Sequence, residues 1–145
     1  PREGLVTVVH ETANSSLTYR EMTKFENFVR HKDFEGALEQ HVARGLPEEG
    51  FREVYSRYAK SLMAVGDGAG EDQEVGLLTE IVALTNPYAD DVSDGVMSEV
   101  LYQGAPRADA QVELFERSVD GTVGITLHRA DADGRVSLPV REGYE

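Results

Sequence analysis

The chain has 145 residues, carries 27 Asp and Glu against 14 Lys and Arg, and contains no cysteine. That length allows one ordinary core or two small ones, and the missing cysteine excludes disulfides, thiolate metal sites and a cysteine nucleophile. No apolar run approaches the roughly 18 residues a membrane-spanning helix needs, and a composition of 40% hydrophobic and 28% charged residues fits a globular chain rather than a fibre or a disordered tail.

The charge is unevenly placed. Residues 1–66 hold nine Lys and Arg against ten acids, whereas residues 67–145 hold five Arg against seventeen acids, so the halves carry −1 and −12. Such a field repels phosphate backbones and anionic headgroups, which argues against nucleic acid as a partner and leaves cations or basic surfaces allowed. The chain opens at Pro1, Arg2 and Glu3, so a processed or truncated start is expected, with any signal peptide outside this chain.

In chain order, residues 4–10 are short and rich in β-branched residues, which predicts a strand. Thr18-Tyr19-Arg20-Glu21 matches a capping box, and Met22, Phe25, Phe28 and Val29 recur at helical spacing, predicting a helix over residues 18–31. Asp33 can cap a second helix whose face would hold Phe34, Ala37, Leu38, His41 and Val42, with Arg44-Gly45 as its stop. Those two faces predict Phe25, Val29, Leu38 and Val42 buried together. Residues 51–65 fit helical and strand periodicities equally.

The glycine-rich residues 66–72 read as a loop and mark an expected boundary between a segment of residues 1–66 and a domain of residues 67–145. Beyond it, strands are predicted at residues 77–85, 96–103, 111–117, 122–129 and 135–140, with turns at Gly104-Ala105-Pro106, Asp120-Gly121 and Asp133-Gly134. The expected class is α+β: an N-terminal strand and two-helix segment followed by an antiparallel β-sandwich.

Val100-Leu101-Tyr102-Gln103-Gly104-Ala105-Pro106, Ala108-Asp109-Ala110-Gln111-Val112 and Ala130-Asp131-Ala132-Asp133-Gly134 together resemble transthyretin-like and carboxypeptidase-regulatory-like sandwiches. Ala130 replaces the threonine usual there, which removes one hydroxyl. More narrowly, Tyr55-Ser56-Arg57-Tyr58-Ala59-Lys60, Val65-Gly66 and Leu84-Thr85-Asn86-Pro87 resemble a bacterial periplasmic family often labelled a component of nickel or cobalt uptake. The resemblance implies a strand over residues 58–65 and a periplasmic or secreted location. It also implies that residues 1–66 are the remnant of a larger N-terminal β domain and that the sandwich lacks its closing strand, which would begin near Tyr144. That open edge is expected to be completed by a second copy, through strand exchange or edge-to-edge pairing, or by the chain's own residues 5–9.

Catalytic signatures are missing. Glycines at 66, 68 and 70 fail the dinucleotide fingerprint because position 71 is Glu71, and no phosphate-loop, nucleophile-elbow or zinc-protease motif is present. His10, His31, His41 and His128 have no ligand spacing and read as structural or solvated. Asp90, Asp91 and Asp94 beside Gly95 are the candidate metal ligands, since hard cations take clustered carboxylates. Asp131 and Asp133 before Gly134 echo the start of a calcium loop but lack its closing glutamate, and read as a hairpin turn. The functional expectation is a non-enzymatic binding module, with no catalytic or cofactor-binding residue, whose partner is a divalent metal ion, as an accessory to its uptake. The alternative is an adhesion or protein-interaction sandwich working without metal.

Overall fold

The computed structural model describes residues 3–145. Ten strands and two short helices follow the order β1 (Gly4–Glu11), β2 (Ser15–Tyr19), α1 (Met22–His31), α2 (Ala37–Ala43), β3 (Phe51–Tyr55), β4 (Tyr58–Val65), β5 (Thr79–Ala83), β6 (Val96–Tyr102), β7 (Ala105–Pro106), β8 (Gln111–Arg117), β9 (Val123–Arg129) and β10 (Arg135–Leu138). The fold is α+β, mainly β, and every ladder is antiparallel. Two compact units form: Thr12–Arg57, and the chain up to Glu11 together with everything from Tyr58 to Glu145. The glycine-rich residues 66–72 therefore lie inside the larger unit.

In the smaller unit, β2 and β3 form a ribbon with Tyr19 opposite Phe51. Thr18 is part of that ribbon, opposite Arg52, so the expected capping box does not form. Helix α1 starts only after Glu21, with no side-chain cap. Extended pairing of residues 15–19 satisfies more backbone groups than one extra helical turn would, and it overrides the local signal. Helix α2 likewise starts without a side-chain cap, preceded by Gly36 at φ 69° rather than by the expected Asp33.

The core of this unit is aromatic. Tyr19 stacks on Phe51 at 5.2 Å and meets Phe25 edge-on at 5.2 Å, and the His41 ring lies 4.4 Å from Phe51 and 5.4 Å from Phe25. The buried His41 bonds through Nε2 to the Pro47 carbonyl at 2.9 Å. Val29 is buried, but Val42 is 73% exposed: α2 turns His41 inward instead, which corrects the expected four-residue cluster. The Tyr19 hydroxyl donates to Glu53 at 2.8 Å; burial, then that bond and the carboxylate's charge, push the phenol up to about 12.

In the larger unit, β1 and β4 pair over their full length, so residues 5–9 are taken by β4 and do not complete the sheet beside β10, as one expectation had it. A second sheet runs β10-β6-β5 with β7 added to β6, and β8 and β9 form a third. Small side chains pack between the last two: Val100 and Val136 meet Ala110, Val112 and Ala130, with Leu138 at the margin. The Asp131 carboxylate accepts the amides of Asp133 and Arg135 at 2.9 and 2.8 Å, closing a turn. That turn is a corner between two sheets rather than the expected hairpin, because β9 pairs with β8 and β10 with β6. At the far end, Tyr144 bridges Ser118, and Glu145 exchanges backbone bonds with Arg117, so this segment lies against β8 and not against β10.

Replacing Phe51, which three rings surround, by Ala is expected to cost about 3–5 kcal/mol in urea unfolding. Val42→Ala should stay within about 0.5 kcal/mol, and a larger loss would place Val42 in a core.

Candidate functional site

Strand β4 alternates, and Tyr58, Lys60, Leu62 and Ala64 share one face. A lysine on a half-buried face needs partners, because a desolvated ammonium is costly alone. The Lys60 side chain is 8% exposed; its ammonium donates to Glu80 at 2.8 Å and to the Gln73 carbonyl at 2.7 Å, and forms an ion pair with Asp72 at 3.0 Å.

The two carboxylates are likewise partnered. Glu80 Oε1 also accepts the Val75 amide at 2.9 Å, and its Oε2 accepts the amides of Gly76 and Leu77, each at 3.1 Å. Asp72 accepts the Gln73 and Ala83 amides at 2.9 Å and the Thr7 hydroxyl at 3.4 Å. One ammonium and two carboxylates thus tie β1, β4 and β5 to the segment 72–77. Burial alone would raise the Glu80 carboxyl, but the hydrogen bond from Lys60 and those from the backbone amides outweigh it and hold the group below its ordinary value.

Asn86 supports the same segment. Its Nδ2 donates to the carbonyls of Gly68 and Gly70 at 2.8 and 2.9 Å, while its Oδ1 accepts the Tyr88 amide. Gly68, at φ 65°, leaves no space for a side chain, since a Cβ there would stand 2.8 Å from that of Ala64.

These contacts frame a slot of about 470 Å³ between β4 and β5, lined among others by Leu62, Leu77, Thr79 and Ile81. Backbone parity shows what faces it. Leu78 and Leu84 bond across to Gln103 and Met97, so Glu80 and Val82 point their backbone groups at β6, while Thr79, Ile81 and Ala83 point theirs away from it. In the β1–β4 ladder, Leu5 turns its amide away from β4 to Ala69, and the Leu62 carbonyl accepts the Tyr88 hydroxyl. By the same alternation, Lys60 and Leu62 direct their backbone away from β1. No ladder joins β4 to β5.

Two of the three aspartates singled out from the sequence, Asp90 and Asp91, use their carboxylates within their own loop. Asp90 accepts the Asn86 amide at 2.7 Å, Asp91 accepts the Ser93 amide at 2.9 Å, and the Asp94 backbone carbonyl accepts the Ser137 hydroxyl at 2.9 Å. The Ser93 hydrogen bonds hold the Asp91 carboxyl below its ordinary range. Among the described residues, no three His, Asp or Glu side chains are gathered to hold a metal ion. Also among them, no helix is long and apolar enough to cross a membrane.

Residues 2–143 match the family described as Domain of unknown function (DUF4198). The chain belongs to that family. No curated protein and no solved structure matches it. The match spans both units, so the slot and its ion network lie within the DUF4198 region of the chain.

Lys60, Asp72 and Glu80 were not singled out from the sequence. The available signal was a lysine within the alternating face of Tyr58, Leu62 and Ala64, and a glutamate alternating with Val82.

A carboxyl held low stabilises the fold above its ordinary pKa and loses that contribution as pH falls through its folded value. Glu80→Gln is expected to be less stable than the parent at neutral pH, and the gap should shrink on acidification below 4.5, the ordinary value of this carboxyl. Urea midpoints measured against pH check this, and a gap independent of pH would show that Glu80 is not held as a carboxylate.

Proposed function

We propose that this chain is a non-enzymatic recognition module, periplasmic or secreted, whose slot between β4 and β5 receives a segment of a partner polypeptide. The observation that carries the reading is the pair of strand edges bordering one slot with no ladder between them. Lys60, Asp72 and Glu80 serve the frame: the ammonium is held by two hydrogen bonds and an ion pair, and the Glu80 and Asp72 carboxylates accept three and two backbone amides, so the triad is committed to the fold rather than poised to attack or to exchange a proton with a substrate. The location follows the family resemblance noted from the sequence. The metal-uptake role implied by that resemblance gains no support from the side chains, since Asp90 and Asp91 engage their carboxylates with amides of their own loop.

Panning a random-peptide library on the purified protein tests the reading. The expected result is a set of related peptides that lose binding to the Ile81→Lys variant, which fills the slot at a position 47% exposed. They should retain binding to Val119→Lys, a substitution at a 91% exposed site outside the slot. Enrichment no better than on an unrelated protein, or peptides indifferent to Ile81→Lys, would overturn it.

A further inference from the structure

Resting on that reading, we infer that the partner segment binds by strand addition: an extended peptide bearing Lys or Arg, held by main-chain hydrogen bonds to the free edge of β5, with β4 as the wall of the slot. The free groups are specific. Thr79 and Ile81 turn both amide and carbonyl into the slot, Lys60 turns both of its own, and Leu62 turns its amide; among the described residues none of these groups has a hydrogen-bond partner.

An exposed strand edge is a template for another strand, and folds blunt such edges with charges, bulges or a covering segment. Here two of the neighbouring groups are blunted, since Asp72 caps the Ala83 amide and Tyr88 caps the Leu62 carbonyl. The stretch between those caps is left open beside apolar Leu62, Leu77 and Ile81. Alternating backbone donors and acceptors flanked by apolar pockets match the recognition of an extended main chain, in which the backbone supplies affinity and every second side chain supplies selectivity.

The charge sets the side chains. Outside Thr12–Arg57 the sequence holds nineteen acids against seven Lys and Arg, a net charge of −12 on the unit containing the slot, while the smaller unit carries −1. That field favours a basic peptide. It opposes a second copy of the same acidic unit in the slot.

Amide hydrogen exchange followed by NMR, first on the free protein and then with a synthetic slot-dependent peptide from the library, tests the inference. In the free protein, the amides of Glu80 and Val82 should be protected while those of Thr79 and Ile81 exchange freely; protection of Thr79 and Ile81 without peptide would overturn it. With peptide bound, Thr79 and Ile81 should become protected, and single N-methylation along the peptide should weaken binding about tenfold or more at alternate positions only. A peptide that still requires Ile81 but tolerates N-methylation throughout would leave the polypeptide-binding reading standing and end the strand-addition mechanism. Affinity unchanged when its Lys and Arg are replaced by norleucine would end the basic preference.

Discussion

The buried triad of Lys60, Asp72 and Glu80 is the constraint on which the larger unit depends. Two acids and one base withdrawn from water are unfavourable unless they are well partnered, and here Lys60 gives two hydrogen bonds and an ion pair while Glu80 receives four hydrogen bonds. The three consecutive amides of Val75, Gly76 and Leu77 converge on one carboxylate, an arrangement that places positive backbone dipoles where the second negative charge must go. The segment between β4 and β5 has no regular secondary structure of its own, and this network gives partners to its Gln73, Val75, Gly76 and Leu77 amides.

The apolar core beside it is modest. Its buried members are Val100, Ala110, Val112, Ala130 and Val136, all small. With so little large apolar volume, the relative placement of β4 and β5 rests on polar contacts. Charged groups tie the two strands through side chains and through the segment between them without making them a ladder, which is why a slot with open backbone edges persists there.

Much of the strand pattern was legible. The span Gln111–Arg117 follows from alternation, and Glu116 indeed falls on the buried face with Val112, while the Phe115 face is open. What misled was local chemistry that distant pairing outbids: Thr18 and Glu21 form a good capping box in sequence, yet pairing with residues 51–55 claims Thr18 for a strand. Helical spacing placed Val42 and His41 on one face of a helix too short to bury both, and the choice fell to stacking with Phe25 and Phe51 that no local pattern encodes. The triad was hidden for a similar reason. Its members are separated by 12 and 8 positions in the chain, so their meeting is a property of the fold; within the acidic cluster of residues 90–94, conspicuous in sequence, Asp90 and Asp91 serve turn geometry.

A double-mutant cycle on Lys60→Met and Glu80→Gln, read as urea unfolding free energies, measures the central claim most directly. If the triad holds β4 and β5 in place, the two substitutions are strongly coupled, by about 1.5 kcal/mol or more. Additive losses, with a coupling below about 0.5 kcal/mol, would show that the strands are positioned by something else and contradict the account.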